Sequence, residues 1–578
     1  MDINDNVFEN ENCAEESCVL ENDEEKITPD TEAEENAEVE SAPKEEDKQE
    51  EPEAKKPWKL IVICCAVFVA VVTLLLVLML GGKDKTNTPD NEENSEGDGQ
   101  TAVCSHTSVE WITDREADCT SEGARHKECT LCRETLSTET IAAKGHTITT
   151  YPAKAPDCES IGWNEYSVCS VCDYTDYSPI NPVHKVTDGF CTGCSSRVIM
   201  TKEDLLAVNS KENMNRYFVL GADIDLGGME WTPIGSDAGV FSGRFNGSVY
   251  KISNFKITAA QNVNNTWCVG FIAYNNGVVK NLTLDNFVID VSDYSQNLIN
   301  VGSVVGSNKG TVDNCHVSSG TLKVNAKTLY LGGIAGDNRS VISNSVADIV
   351  IDASVSGNHI TAGGICGFTL GGSITDCAFV GEHISGSANS DDQSIIATIG
   401  GIVGKSQGNA TVTRCYSTGD VNAFSQGTNG ATKSYCGGVV GSNWSSEVSQ
   451  SYSIGNVSAK SDGESFAAGI AADNRGSVTT SYAAGNISAE GASSRCKATN
   501  VVNDVDAGTH EDCYYVKGQS FSVKIGDELS NAPTAVSGTE IELYDLLSTS
   551  FLGETLGFDL DRWVVSGSDH PTLKPIAE

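Results

Sequence analysis

Basic side chains are scarce in this chain. Lys plus Arg number 38 against 80 Asp plus Glu, for a net charge of −42, and aromatic residues make up only 7%. Nucleic-acid binders rest on basic patches, so nucleic acid is not expected as a partner. Signatures of common catalysts are missing too: there is no Ser-His-Asp order, no phosphate loop and no HExxH. The acid pairs Asp223/Asp225 and Asp559/Asp561 stand in DIDL and DLD. Such alternation is what a strand edge produces, so they read as structural, with a chance calcium site as the alternative.

The acidic charge is unevenly spread. Residues 1–54 hold 22 acidic residues against three lysines and few large apolar residues. Such a stretch cannot bury enough surface to offset its ordering entropy, and it reads as a disordered, solvated cytoplasmic tail. Cys13 and Cys18 are a lone pair there, too little for a zinc site. Leu60–Leu80 carries no charge and no proline. At about 1.5 Å per residue it spans a hydrocarbon core of about 30 Å. It lies far from the N-terminus without a cleavage pattern, so residues 58–81 read as a single-pass transmembrane helix of the signal-anchor type. Lys55, Lys56 and Lys59 precede it and Lys83 and Lys85 follow, which weakly favours a cytoplasmic tail. Residues 82–103 are a polar linker. The expected location is the cell membrane, with the C-terminal region extracellular.

Residues 266–490 are repetitive. Copies of IGGIVGKSQGNATVTRCYSTGDVNA (Ile399–Ala423) are anchored at Gly270, Gly302, Gly332, Gly363, Gly400, Gly437 and Ala468, in steps of 32, 30, 31, 37, 37 and 31 residues. Each copy holds three short β-branched or apolar segments punctuated by Gly, Asn and Ser, and none has a helical period of useful length. Three strands and three turns in tandem predict one coil each of a parallel β-solenoid, a mainly β fold in which stacking buries the inner faces. Six residues past each anchor stand Asn276, Asn308, Asn338, Thr369, Ser406, Asn443 and Asn474, the pattern of an asparagine ladder. Cys315, Ser345, Cys377, Cys415, Ser451 and Ser481 share another position. There the cysteines read as small inward packing residues, or else as disulfides between coils.

GGIVG-x-x-x-G-x-V-x-x-x-Y-x-x-G-x-V resembles the GLUG-type repeat of bacterial surface proteins. The resemblance implies a parallel β-helix over most of Ile199–Glu578, with 199–265 as its first, capping segment and 491–578 as its last. The first copy departs from the pattern, with Phe271 and Tyr274 where Gly is usual. Insertions at Gly386–Thr398 and Phe424–Tyr435 account for the longer steps and predict adjacent loops on one side, with Trp444 facing solvent near them.

Residues 104–196 form a separate Cys/His-rich unit: Cys104-x-His106, Cys119, Cys129-x-x-Cys132, His146, Cys158, Cys169-x-x-Cys172, His184, Cys191-x-x-Cys194. A Cys-x-x-Cys knuckle can hold tetrahedral Zn²⁺ from one side, and two further ligands close the site. The spacing suggests His106, Cys119, Cys129 and Cys132 as one set and His146, Cys158, Cys169 and Cys172 as a second. His184, Cys191 and Cys194 then need Cys104 or another partner. A disulfide scaffold and unligated thiols remain alternatives. His126 fits neither set and reads as exposed. The unit is similar to short Cys/His repeats of clostridial cell-surface proteins, which resemble zinc ribbons, and the likeness implies structural zinc.

Glycosidases and lyases on β-helices draw acids or Lys/Arg from successive coils on one outer face. Here the equivalent positions carry Thr, Ser, Asn and Val. The expectation is a membrane-anchored, non-enzymatic surface protein that binds a glycan or protein ligand in adhesion. A polysaccharide-acting enzyme and a structural spacer are the alternatives.

Overall fold

The computed structural model describes residues 104–578 apart from 159, 173, 237–238, 294–295, 297, 391–393, 428–431, 566–569 and 575–578. The expected tail, transmembrane helix and linker (1–103) lie outside the described residues, as do Cys13 and Cys18. Among the described residues no helix is long and apolar enough to cross a membrane.

The fold is mainly β, a parallel solenoid of about nine turns. In one coil Val305–Asn308, Thr311–Asp313 and His316–Gly332 follow each other round the three faces. Each pairs in parallel with its counterpart one coil on: Ala335–Asn338, Val341–Ser343 and Val346–Gly363. The interior is a set of like-on-like stacks. Val279, Val312, Ile342, Ile374, Val412, Val448 and Val478 occupy one register position and are all buried. Each such side chain contributes roughly 1.5–3 kcal/mol only when a neighbouring coil covers it. This is why the β-branched positions recur with the coil length.

The asparagine ladder forms, with one correction. Asn275, not Asn276, aligns with Asn308, because the first copy reaches its next strand one residue early. Phe271 stands at that shortened corner and stacks on Trp231 with ring centroids 4.8 Å apart, closing the start of the core. Asn275 donates to Asn308, Asn308 to Asn338 and Asn338 to Thr369, at 2.8, 2.8 and 3.3 Å. Asn443 donates to Asn474, which donates in turn to Asp504. Ser406 interrupts the ladder: its buried Oγ and the Oδ1 of Asn443 have no hydrogen-bond partner. Asn443→Leu would strip donors from Asn474 Oδ1 and from the carbonyls of Ser446 and Ser477. Each buried group left unpaired costs about 1–3 kcal/mol. Asn409 is exposed at φ 59°, so Asn409→Leu should cost only the left-handed backbone penalty, about 1–2 kcal/mol. Urea midpoints of the two variants test the assignment, and equal midpoints would reject it.

The shared Cys/Ser position is inward and buried. Ser345, Ser451 and Ser481 donate to the carbonyl two residues back at 2.7–2.8 Å, and Cys315, Cys377 and Cys415 point their thiols at the same carbonyl at 3.3–3.5 Å. All described cysteines are free, so the packing reading holds and no disulfide joins the coils among the described residues. Just before this position each coil turns through one left-handed residue: Asn281, Asn314, Asn344, Asp376, Arg414, Gln450, Thr480 and Asp512.

The C-terminal segment does not simply continue the stack. After Thr539–Ile541, which pairs with Tyr514–Val516, the chain runs back along the outside of the coils. Trp563 is buried against Tyr416, Tyr452 and Phe558, within a cluster that includes Tyr482, Leu546 and Leu552. Tyr452 Oη donates to the Pro571 carbonyl at 2.7 Å. Arg562 reaches Asp376 at 3.3 Å and Asn344 at 3.0 Å.

Candidate functional site

Three tetrads of ligand atoms are assembled in the Cys/His unit: Cys104, His106, Cys129, Cys132; Cys119, His146, Cys169, Cys172; and Cys158, His184, Cys191, Cys194. Within each, all four atoms lie within 4.8 Å of one another. The twelve residues are those singled out by spacing, but each set takes a different remote cysteine. Cys119 leaves the His106 set for His146, Cys158 leaves the His146 set for His184, and Cys104 completes the first set. The reason is the local strand arrangement. Val109–Arg115, Gly123–Cys129 and Thr135–Ile141 form an antiparallel sheet whose end carries Cys129, while the backbone around Cys119 folds back on Lys144 and Gly145, beside His146. Each knuckle therefore closes on a cysteine that precedes it by one repeat, and neighbouring repeats share ligands.

The distances suit a tetrahedral ion. Sγ of Cys104 and Cys129 are 3.5 Å apart, and those of Cys119 and Cys169 are 3.8 Å apart. A Zn–S bond of about 2.3 Å gives a tetrahedral S···S edge of roughly 3.8 Å, whereas a disulfide needs about 2.05 Å. His146 Nδ1 lies 3.2 Å from Cys172 Sγ, and its ring stacks on Tyr174 at 4.4 Å, which fixes its orientation. His184 Nε2 is buried without a partner. The thiols are tuned apart: the backbone N–H groups of Cys132 and Leu131 hold Cys129 at about 6. Burial, then the neighbouring Cys172 and Cys169 thiols, push Cys119 up to about 11. Burial and then Cys194 push Cys158 up to about 12. Crowded thiolates destabilise one another, and a divalent ion removes that cost. His126 is not an exposed bystander but is half-buried between Asp114, at 2.6 Å, and Glu128, at 3.5 Å.

The third tetrad is built into the solenoid. Phe190–Cys191 pairs with Arg197–Ile199, which is hydrogen-bonded in parallel to Tyr217–Leu220 of the first coil. The Cys/His unit and the solenoid therefore meet through continuous β structure.

The solenoid carries a second feature, a packed seam outside its main core. After the Gly pair the chain turns outward, so that the second strand of a coil packs against the outside of the first strand of the coil before. A Cβ on Gly336, Gly367 or Gly404 would come within 2.4, 2.5 and 2.7 Å of the backbone nitrogens of Val301, Leu331 and Ala362. No side chain fits there, which explains the last Gly of GGIVG. Two rows of side chains meet along this line of glycines and are mostly buried there. One row is Asn300, Tyr330, Thr361, Thr398, Tyr435 and Phe466. The other is Ser307, Asp337, Phe368, Lys405, Ser442 and Asp473. They meet across the seam: Tyr330 stacks on Phe368 with centroids 4.8 Å apart.

Trp444 stands half-buried beside this seam rather than in free solvent. Its indole N–H donates to Asp473 at 2.9 Å, and its faces are covered by Lys405 at 4.1 Å and Arg475 at 4.8 Å. Asp473 also accepts from Ser442 and Arg475. Asp337 repeats part of this arrangement with Ser307 and Arg339, and burial raises its carboxyl above the usual range. The two insertions fall at one corner, as expected: Asn389 pairs with Gln426 before it and Ile395 with Thr432 after it. Much of each inserted stretch is strand, and 391–393 and 428–431 lie outside the described residues. The acid pairs are engaged structurally: Asp223 accepts from Lys251 N, Asp225 from Gly227 N and Asn254, and Asp559 from Asp561 N.

Coil geometry, the row of close-packed glycines and the tandem copies coincide with a known repeat. Residues 397–422 match the GLUG motif. The other GLUG-like copies take the same shape around it. Over 110 residues the chain is 37% identical to the "Putative Gly-rich membrane protein" of Evansella cellulosilytica, a match spanning 18% of this chain and 12% of that relative's length. Among solved structures, a "putative immunoglobulin A1 protease" from Bacteroides ovatus overlaps 67% of this chain and 94% of its own, at 17% identity and a TM-score of 0.34.

Proposed function

We propose that this is a membrane-anchored surface protein whose GLUG solenoid binds a glycan or protein ligand outside the cell, with structural zinc in the Cys/His unit. The uncharged run at 60–80 and the membrane-protein name of the Evansella relative support the anchoring. The observation that carries the binding reading is the stack itself, in which strands of successive coils pair in register and repeat equivalent positions coil after coil. Repeat scaffolds use such extended surfaces for recognition. The carboxylates of the seam and caps that a hydrolase or lyase would need are held by Arg339, Arg475 and backbone amides, which favours binding over catalysis. The tetrads offer four protein ligands each and so close a zinc site without a position for substrate. The test is to present the detergent-solubilised full chain to an array of glycans and matrix proteins. Retention of at least one ligand, without turnover of it, is expected. Cleavage of an arrayed polysaccharide would replace this reading with the enzymatic one.

A further inference from the structure

The first strand of the solenoid has a coil on one side only. Arg197–Ile199 pairs in parallel with Tyr217–Leu220, and its other edge faces the Cys/His unit. An edge strand with open N–H and C=O groups invites pairing with other chains. Three of those groups are taken here. The Ser196 carbonyl accepts from Cys191 N–H at 2.9 Å, and Val198 N–H donates to the Gly189 carbonyl at 2.9 Å. Met200 N–H donates to the Asp204 carboxylate at 3.1 Å. The first two bonds come from one hairpin, in which Val186–Thr187 pairs with Phe190–Cys191 across Asp188 and Gly189, both at positive φ. An isolated hairpin is marginal in water. This one has no apolar core of its own: of residues 183–196 only Cys191 and Ser196 are buried.

What surrounds the hairpin is the third tetrad. Cys191 and Cys194 form its knuckle, His184 stands two residues before its first strand, and Cys158 comes from the preceding repeat. Cys158 and Cys194 pack with Cys191 against Val198 and Val219 of the first coil, a cluster separate from the main core that holds Ile199, Phe218 and Leu220. We propose that the third tetrad is a metal-dependent lock on the first sheet edge of the solenoid. The proposal rests on the reading of the tetrads as structural zinc sites. With all four ligands held on one ion, the hairpin stays paired to Arg197–Ile199 and the cysteines cover Val198 and Val219. With the ion released, nothing but two backbone bonds keeps the hairpin in place, and the edge opens. The tetrads then differ in role: the second ties one Cys/His repeat to the next through Cys119, and the third ties the unit to the solenoid.

The test compares the detergent-solubilised full chain, purified anaerobically with zinc, with Cys132→Ser, Cys194→Ser and His184→Ala. The two cysteine variants remove the equivalent knuckle ligand from the first and the third tetrad. His184 lies outside the valine cluster, so its variant separates loss of the ion from loss of packing. Zinc content and amide hydrogen exchange are read together. Each variant should lose about one ion. Exchange across Arg197–Met200 should quicken roughly tenfold or more in Cys194→Ser and His184→Ala and stay within about twofold of wild type in Cys132→Ser. Exchange in the later coils, such as Ala335–Asn338, should be unchanged in all three. An edge that stays protected in both third-tetrad variants, with their ion lost, overturns the lock and leaves the zinc reading standing. Equal opening in Cys132→Ser also overturns the lock alone, because the unit then opens as a whole. A wild-type chain that binds no zinc overturns both.

Discussion

The double variant Cys119→Ser/His146→Ala should bind as much zinc as either single variant. The wild-type chain, purified anaerobically, should carry about three ions, one per tetrad, and each single variant about two. The structure puts both residues in one tetrad, so the second substitution removes no further site. The grouping suggested by spacing alone puts them on different ions, and the double variant would then retain about one. Elemental analysis with thiol counting reads the difference directly. The effect on folding should be large. Structural zinc contributes about 10–16 kcal/mol of apparent binding free energy, and the exposed strands Val109–Arg115 and Thr135–Ile141 have little apolar core to replace it. Chelation should therefore unfold residues 104–196, seen as loss of protease resistance, while the solenoid coils keep their own cores. A metal-free chain whose Cys/His unit is oxidised and still folded would establish the disulfide scaffold instead.

The same comparison shows what a sequence can carry. The solenoid was legible because its coils stack like on like: Val312 over Ile342 over Ile374 leaves a repeat in the sequence with the period of the coil. The twelve Cys/His residues were legible by type and spacing, but their grouping was not. Cys119 lies between two knuckles, and only the fold of the backbone beside Lys144 decides which one it joins. The ladder position in the first copy was misplaced because a one-residue shortening at Phe271 leaves the anchor glycines aligned. The left-handed corner left a partial trace. Asn281, Asn314 and Asn344 announce it, but Asp376, Arg414, Gln450 and Thr480 do not, since a fixed corner can force other residues into that backbone region. The seam pairs residues of different coils, and the C-terminal strap has no period. Arg562 meets Asp376 across 186 residues, a contact no local pattern encodes.

That strap is the site of the other large expected effect. Trp563→Ala removes a side chain that is 1% exposed and touches Tyr416, Tyr452 and Phe558. Replacing a buried Trp by Ala costs about 3–5 kcal/mol. In a solenoid each coil contacts only its neighbours, so cooperativity along the stack depends on anything that bridges several coils. The strap is such a bridge, since it touches Asn344, Asp376, Tyr416, Tyr452 and Tyr482, one from each of five coils. Its release should expose the tyrosine row and let the C-terminal coils open separately from the N-terminal ones. The expected result for Trp563→Ala is a lowered first unfolding transition and a second one near the wild-type midpoint. Early proteolytic loss of the segment after Ile541 should accompany it. Arg562→Ala, which cuts only the charged contacts at one end, should shift the first transition by less. A single transition with an unchanged midpoint in Trp563→Ala would mean that the strap lies on the solenoid without coupling its coils.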